Sequence, residues 1–335
     1  MERLTRKEHT TTRNYTYTYY HIFQSPDKPT LLLQHGFPDD HTLWARTLPS
    51  LLASGHSILV PDLLGYNGTS KPTNTEAYNS KGLATDLAEI LEHENIDKVI
   101  SIGHDWGSYM AQRLWLWFPE KVAGLIMLNI AYDPPAPFDL DATNAAIEKD
   151  TGLPRIAYWE FFSSPDCADA LSANIDSWFE ALHGEPENWL ETLFCHRDAL
   201  SDFVRQGKRV PLHKYAEGLR ANWVDTFKKY GFVGPLQWYL VKVSGIQWEV
   251  EKEIPKDKYV VTVPTLFVGA KKDTVCTTAA IEVPREQGLL PELMVRELDT
   301  GHWPMLEAPE ATGDVIVKWL AEQAWQFYGG VRIIR

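Results

Sequence analysis

The chain has 335 residues, 44% of them hydrophobic, and a formal net charge of −13. This length and hydrophobic content suffice for one large domain, or two ordinary ones, with a sizeable buried core. A negative charge of this size repels nucleic acids and anionic membrane surfaces, so we expect no nucleic-acid partner. The sequence shows no apolar leader and no uncharged run long enough to span a bilayer, and its three cysteines are widely spaced. We therefore expect a cytoplasmic protein with no membrane span and no metal site.

Short apolar runs alternate with helical patterns through the first part of the chain. Residues 16–23 alternate in polarity like an edge strand, and residues 81–93 place leucine and isoleucine at helical spacing. Continuous β-branched or Leu-rich runs, typical of buried strands, lie at 30–36, 57–62, 99–103 and 123–129. Such strands alternating with helices predict an α/β fold with a mostly parallel sheet and helices on both faces.

The pattern changes after residue 131. The Pro-rich stretch YDPPAPFDL is followed by helical, aromatic and polar sequence as far as about Trp248. Strand patterns then return at 262–270 and 293–299, and residues 310–325 have the pattern of a final helix. We therefore expect a first part of the core, an inserted α-helical cap and a second part of the core, at residues 1–133, 134–249 and 250–335.

A polar motif with two glycines follows the strand pattern at 99–103. It reads Gly-His-Asp-Trp-Gly and places Asp105 at its centre, where the nucleophile elbow of serine hydrolases carries a serine. An aspartate at a strand-to-helix turn also commonly caps the helix. The glycines, however, leave room for a strained turn that exposes one side chain at the carboxyl end of the sheet, where functional groups gather in open α/β folds. Asp105 is therefore a candidate nucleophile.

Three further motifs follow predicted strands. The HGFP motif places the backbone amide of Phe37, together with that of Trp106, where a hydrolase forms its oxyanion hole. Asp273 and His302 each follow one of the two returning strand patterns, so nucleophile, acid and histidine occur in the chain order of the hydrolase triad. Asp133 is an alternative acid, but its Pro-rich surroundings favour a linker turn.

A carboxylate nucleophile changes the reaction that such a triad performs. It is ionised at neutral pH and needs no base to attack a saturated carbon that bears a leaving group. The resulting alkyl ester on Asp105 would have its carbonyl beside the amides of Phe37 and Trp106, and His302, oriented by Asp273, would take the proton of the attacking water. An ordinary esterase is disfavoured, because attack of an aspartate on an acyl carbon would give an anhydride.

Five motifs resemble those of soluble epoxide hydrolases of the α/β-hydrolase fold superfamily: HGFPDDHTLW, PDLLGYNGTSKP, GHDWGS, GAKKDTV and GHWP. The resemblance extends from about Thr16 to Trp325. It implies the α/β-hydrolase fold with an inserted helical cap, and an enzyme that converts an epoxide to a vicinal diol. It also implies that no cofactor is needed and that the partners are a small apolar epoxide substrate and water.

Members of that family hold and protonate the epoxide oxygen with two tyrosines of the cap. The segments YWEFFSSP and GFVGPLQWY are similar to the two family motifs, and they supply Tyr158 and Tyr239. An epoxide needs such donors because its leaving group is a strongly basic alkoxide. The aromatic side chains of Phe37, Trp106 and Trp303 are expected to bind an apolar substrate.

Two other functions fit parts of the same pattern. A haloalkane or fluoroacetate dehalogenase also uses an aspartate nucleophile, and Trp106 would then bind the halide, although Phe37 stands where an asparagine would be expected. A non-catalytic ligand-binding protein on this fold is the second alternative. Leu240 and Ser108 depart from the family motifs and bear on the range of substrates. The sequence leaves the oligomeric state open, a homodimer included.

Overall fold

The structure, a computed structural model, describes residues 1–185, 189–324 and 327. The strands of this part of the chain form one sheet, in the order β1-β2-β4-β3-β5-β6-β7-β8. Their bounds are β1 Thr5–Thr10, β2 Thr16–Ile22, β3 Thr30–Gln34, β4 Ile58–Pro61, β5 Val99–His104, β6 Val122–Leu128, β7 Thr265–Ala270 and β8 Leu293–Leu298. β2 pairs antiparallel with β1 and with β4, and every pair from β4 to β8 is parallel. The predicted α/β fold with a mostly parallel sheet is confirmed.

The edge of the sheet differs from the prediction. Residues 16–23 were expected to form an edge strand, which is wrong, because β2 lies between β1 and β4. The edge strand is β1, with the sequence TRKEHT, and its side chains are exposed or half-buried. Charged side chains of this kind discourage pairing with another chain. Alternating polarity indicates that one face of a strand packs on the core. It does not indicate whether one or two neighbouring strands pair with that strand.

The helices of the first part of the core cover the sheet. They are α1 (Leu48–Ala53), α2 (Ser80–His93) and α3 (Trp106–Trp117). Helix α2 matches the predicted helix at 81–93. Asn79 caps its amino end, where Asn79 Oδ1 accepts a hydrogen bond from the amide nitrogen of Gly82 at 2.9 Å. Its apolar residues at helical spacing are buried against the core, as the pattern indicated.

Nine α-helices of the described chain lie between β6 and β7. They are α4 Leu140–Thr151, α5 Tyr158–Phe162, α6 Cys167–Ala173, α7 Ile175–His183, α8 Trp189–Phe194, α9 Ala199–Arg205, α10 Arg220–Tyr230, α11 Val233–Val243 and α12 Ile246–Glu251. Two tryptophan indoles join this region to loops of the core: Trp223 Nε1 donates to the carbonyl of Pro38 (2.8 Å) and Trp238 Nε1 to that of Leu64 (2.9 Å). The segment bounds 1–133, 134–249 and 250–335 stay a prediction.

The helices of the last part of the described chain are α13 (Glu282–Glu286), α14 (Pro304–Glu307) and α15 (Pro309–Glu322). Helix α15 corresponds to the final helix predicted at 310–325, and Trp325 lies outside the described residues. The 3₁₀ helices are His41–Trp44, Thr75–Tyr78, Pro119–Lys121, Lys214–Ala216, Lys256–Tyr259 and Thr278–Ile281. None of the helices in the described part of the chain combines the length and the apolar character needed to cross a bilayer.

The parallel arrangement determines where the functional motifs meet. Strands β3, β5, β6, β7 and β8 are neighbours in the sheet, so their carboxyl ends lie along one edge. Strands β3 and β5 are buried along their whole length, which explains why their sequences are continuously apolar rather than alternating. The loops that follow these strands carry the polar residues singled out in the sequence.

Candidate active site

Asp105 occupies a strained turn between β5 and α3. Its backbone has φ 53° and ψ −127°, a conformation that side chains other than glycine rarely adopt and that costs roughly 1–3 kcal/mol. The flanking glycines make this turn sterically accessible. A Cβ added to Gly103 would lie 1.9 Å from the carbonyl oxygen of Gly107, and one added to Gly107 would lie 2.2 Å from that of Gln34. The turn lifts the Asp105 carboxylate above the end of the strand.

Backbone amides face this carboxylate. The amide of Phe37 donates to Asp105 Oδ1 at 2.8 Å. Burial raises the pKa of Asp105, and the opposing influences are the charge of His302 and hydrogen bonds from the amides of Phe37 and Trp106. The two amides assigned to an oxyanion hole from the sequence therefore both face the carboxyl group of Asp105.

His302 lies between two carboxylates. Its Nδ1 is 2.7 Å from Asp273 Oδ2, and its Nε2 is 3.8 Å from Asp105 Oδ2. Although burial alone lowers the pKa of His302, the charge of Asp273 and the hydrogen bond to it raise that pKa well above its ordinary value. The structure thus brings Asp105, His302 and Asp273 together in the arrangement of a catalytic triad.

Asp273 is held by more than the histidine. Its Oδ2 also accepts a hydrogen bond from Asn129 Nδ2 (2.7 Å), and its Oδ1 accepts the amides of Val275 (3.0 Å) and Cys276 (2.9 Å). Burial opposes ionisation, but the charge and hydrogen bond of His302 and these donors keep the pKa of Asp273 below its ordinary value. Asp273 is therefore an ionised carboxylate with a fixed orientation.

The alternative acid, Asp133, has other partners. Its carboxylate pairs with Lys242 on α11, and its backbone amide donates to Gln112 Oε1 at 2.9 Å. The hydrogen-bond partner of the His302 ring is Asp273. The geometry favours Asp273 over Asp133 as the acid of the triad.

Tyr158, Tyr239 and Asp105 line one small apolar cavity. Tyr158 on α5 and Tyr239 on α11 have ring centroids 6.2 Å apart. The cavity encloses about 360 Å³, and its walls are Phe37, Asp105, Tyr158, Phe162, Trp178, Leu182, Leu190, Phe194, Tyr239, Val275, His302 and Trp303. Burial, more than any other influence, raises the pKa of Tyr158 and Tyr239 well above the ordinary value. Both phenols are therefore protonated and available as hydrogen-bond donors.

The three aromatic residues expected to bind substrate do not share one position. Phe37 and Trp303 line the cavity, whereas the Trp106 indole is not among its walls. Trp106 lies behind Tyr239, with ring centroids 5.1 Å apart, and packs against Trp159 at 5.5 Å. A hydrogen bond from Trp106 also lowers the pKa of Tyr239. The side chain of Trp106 thus contacts the tyrosine rather than the space a substrate would fill.

Several residues of the site had no signal strong enough to identify them from the sequence. Phe162 and Trp178 form much of the apolar wall, but aromatic residues of a helical cap serve packing as often as binding. Asn129, which holds Asp273, directly follows β6 and has a φ of 65°. Its place at the carboxyl end of a central strand is the signal that could have revealed it. Cys276 lies near the triad because of the turn after β7.

The fold and this constellation define the class of the protein. The chain belongs to the alpha/beta hydrolase fold family, whose sequence profile matches residues 29–309. Its resemblance to the epoxide hydrolases of this fold is confirmed by the relatives that it matches.

Two relatives and one solved structure are similar to this chain. The chain is 27% identical over 308 residues to bifunctional epoxide hydrolase 2 of Sus scrofa, covering 91% of this chain and 53% of the relative. It is 26% identical over 302 residues to epoxide hydrolase A of Mycobacterium tuberculosis, covering 88% of this chain and 91% of the relative. The chain thus spans about half the length of the mammalian relatives it matches. An epoxide hydrolase from an endophytic Streptomyces has the same fold, with a TM-score of 0.81 at 23% identity, covering 97% of each chain.

Proposed function

We propose that this protein is an epoxide hydrolase that converts an epoxide to a vicinal diol through a covalent ester on Asp105. The observation that carries the proposal is a single cavity in which Asp105 and His302 face two protonated cap phenols, Tyr158 and Tyr239. A carboxylate on one side and two acids on the other suit an electrophile whose leaving oxygen stays attached to the substrate. The relatives named epoxide hydrolases support the same activity.

The first step forms the ester. Asp105 Oδ2 is not engaged by the Phe37 amide, and it attacks one carbon of the epoxide ring. The bond between that carbon and the ring oxygen breaks, and the oxygen takes a proton from Tyr158 or Tyr239. The two phenols hold the oxygen before the bond breaks, which lowers the energy of the developing alkoxide.

The second step hydrolyses the ester. Ester formation removes the negative charge of Asp105, which favours a protonated His302, so the ring releases its proton to solvent more readily. The neutral imidazole, oriented by Asp273, takes a proton from water, and the hydroxide attacks the ester carbonyl of Asp105. The amides of Phe37 and Trp106 stabilise the oxyanion. The oxyanion then collapses, the bond between the carbonyl carbon and the diol oxygen breaks, and that oxygen takes the proton of the added hydroxyl, which restores the Asp105 carboxylate. The proton on His302 returns to the tyrosinate, so the net reaction adds one water.

The dehalogenase alternative finds less support in this geometry. A halide needs N–H donors that point into the cavity, and the Trp106 indole lies behind Tyr239 instead. Halide release from simple alkyl halides by the purified protein would favour that alternative. Binding of epoxides without any turnover would favour the non-catalytic one.

A single-turnover experiment in ¹⁸O-water tests the covalent route. Excess enzyme is mixed with a racemic aryl epoxide, and the diol and the peptide carrying Asp105 are analysed by mass spectrometry. We expect the label in the Asp105 carboxyl group and no label in the first diol, because water attacks the enzyme's carbonyl carbon. Label in the first diol would contradict the proposal. The same experiment on Asp105→Asn, which cannot form the ester in this way, provides the control.

A further inference from the structure

The thiol of Cys276 lies beside the proposed triad, and the proposed mechanism gives it no task. Cys276 is in the turn after β7, where its amide donates to Asp273 Oδ1 at 2.9 Å. Its sulfur lies within 4.8 Å of a ring nitrogen of His302. The three cysteines of the described chain are free, so no disulfide engages this sulfur.

Three kinds of metal-ligating atom meet at this place. A carboxylate oxygen of Asp273, the sulfur of Cys276 and a ring nitrogen of His302 all lie within 4.8 Å of one another. No other group of three such side chains is this close within residues 1–185, 189–324 and 327. The sequence does not reveal the group, because the cysteine and the histidine belong to the loops after two different strands, β7 and β8.

This donor set matches the preference of zinc. Zinc binds cysteine sulfur at about 2.3 Å and histidine nitrogen or carboxylate oxygen at about 2.0 to 2.2 Å, so tetrahedral coordination sets the donors roughly 3.3 to 3.6 Å apart. His302 Nδ1 and Asp273 Oδ2, now 2.7 Å apart, would have to separate by about 0.6 Å, and donors as far as 4.8 Å apart would have to approach by about 1.2 Å, both within the range of side-chain rotation. The Asp273 carboxylate would lose little conformational entropy on binding a metal, because Asn129 and two backbone amides already fix its orientation. Sulfur and nitrogen ligands also discriminate against magnesium and calcium.

A cation can reach the site from the solvent side. His302 lines the apolar cavity and also a wider polar opening, whose walls include Lys272 and Glu307. Cys276 is half-buried rather than fully enclosed. Lys272 at the opening repels a cation, while the net charge of −13 on the chain attracts one.

We propose that Asp273, Cys276 and His302 form an inhibitory site for a thiophilic divalent cation such as Zn²⁺. The thiol loses its proton to solvent as its sulfur binds the metal. The imidazolium also loses one proton to solvent: the metal replaces the proton on Nδ1, and the remaining proton of the neutral ring stays on Nε2. Nε2 then has no lone pair for the proton of the attacking water, and the occupied enzyme stops at the ester. This kinetic consequence rests on the proposed function, whereas metal binding does not.

Cd²⁺ is the probe for binding, because a thiolate bound to it gives a charge-transfer band in the ultraviolet. We expect one equivalent of Cd²⁺ to produce the band in the wild-type protein and an excess of Mg²⁺ to produce none. Cys276→Ala and Cys276→Ser should weaken binding by roughly 100-fold or more, because the site loses one of three protein ligands. Cys167→Ala is the matched control, since Cys167 is a buried cysteine of the cap. It should behave like the wild type.

Turnover tests the consequence of binding. Zn²⁺ should inhibit epoxide hydrolysis by the wild type and by Cys167→Ala, with the ester accumulating, and a chelator should restore activity. Each Cys276 variant should resist, measured against its own metal-free rate. Equal Cd²⁺ binding by the wild type and Cys276→Ala would overturn the site, and equal inhibition of both would overturn its regulatory role. If no epoxide is turned over at all, the proposed function fails while the Cd²⁺ band still decides the binding site.

Discussion

Tyr158 and Tyr239 show how burial assigns a role to a single side chain. A phenol in an apolar cavity loses its proton less readily than one at the surface, because the cavity does not solvate the phenolate. Both tyrosines line the cavity. Their pKa values are therefore shifted away from neutral pH, which preserves the donors for an epoxide oxygen. Asp105, the proposed nucleophile, lies opposite them in the same cavity.

Replacing either phenol separates the two chemical steps. In Tyr158→Phe and Tyr239→Phe we expect ester formation to slow by roughly 10²-fold to 10⁴-fold, because a general acid is lost. Hydrolysis of the ester should proceed at nearly the wild-type rate, since His302 and Asp273 remain. Rapid-quench kinetics with an aryl epoxide measures both steps. Tyr230→Phe, on cap helix α10 beside Lys71 and Lys229, is the matched control, and an equal loss in that variant would contradict the prediction.

Asp39 makes stability depend on pH. Its carboxylate is buried beside the Trp303 indole (3.1 Å), and burial raises its pKa from 3.8 to about 7. Between these two values the folded state retains a proton that the unfolded state has lost. Stability therefore falls as the pH rises through this window, by at most about 1.4 kcal/mol per pH unit.

The variant Asp39→Asn removes this titration. Its stability relative to the wild type should be greater at pH 8 than at pH 5, as measured by urea unfolding at both pH values. Asp40→Asn, which also removes one negative charge, is the control for charge alone. A relative stability of Asp39→Asn that is equal at both pH values, or lower at pH 8, would show that the carboxyl group does not act as described.

At the scale of elements, helix α11 carries Tyr239 and is fastened near its carboxyl end. Lys242 on this helix pairs with Asp133 in the loop after β6, and its ammonium group lies 5.1 Å from the centre of the Tyr109 ring. The pair is partly exposed, so it contributes only about 1 kcal/mol to stability. Its larger effect is on the position of the helix and hence of the phenol.

The variant Lys242→Met should therefore impair the step that needs Tyr239. We expect slower ester formation, unchanged ester hydrolysis and a small loss of thermal stability. Lys242→Arg keeps the positive charge and should restore the rate. Equal slowing of both steps would indicate a general structural defect, and full activity in Lys242→Met would show that the helix needs no fastening.

Strands and helices whose own residues show an apolar pattern could be predicted from the sequence. Those that form only because another part of the chain pairs with them could not. The buried strands and α2 follow from their own apolar spacing. Strand β1 has no apolar face, and it is a strand because β2 pairs with it. The motifs at the strand ends identified Asp105 and His302, since parallel strands bring such motifs to one edge. The wall of the cavity and the neighbours of Cys276 depend on how the cap and the loops pack, which no local pattern records.

At the scale of the whole molecule, a buried ion pair joins the core to α12, the last α-helix before β7. Arg113 on α3 donates from Nε to Glu251 Oε1 at 2.7 Å and from Nη2 to Oε2 at 3.1 Å, and both side chains are 2% exposed. Ser80 Oγ on α2 donates to the same Oε1 at 2.7 Å. Helix α12 is thus held to two helices of the core.

Breaking this pair from one side should be costly. We expect Arg113→Met to lower the free energy of unfolding by about 3–5 kcal/mol, because it leaves the Glu251 charge buried without a counter-ion. Adding Glu251→Gln removes that charge and should restore part of the loss. Urea unfolding of the two single variants and the double variant measures the coupling. A double variant as unstable as the sum of the single ones would contradict it.

The neighbouring strands β6 and β7 are separated along the chain by the cap helices, so these helices occupy a single crossover of the sheet. Asp105, Asp273 and His302 lie outside this crossover, whereas Tyr158 and Tyr239 lie inside it. On the proposed mechanism, the residues that hydrolyse the ester and those that protonate the leaving oxygen can therefore be inherited separately. Recombination of one continuous stretch of gene would then combine the same core with a new leaving group, and with it a new substrate, without disturbing the sheet.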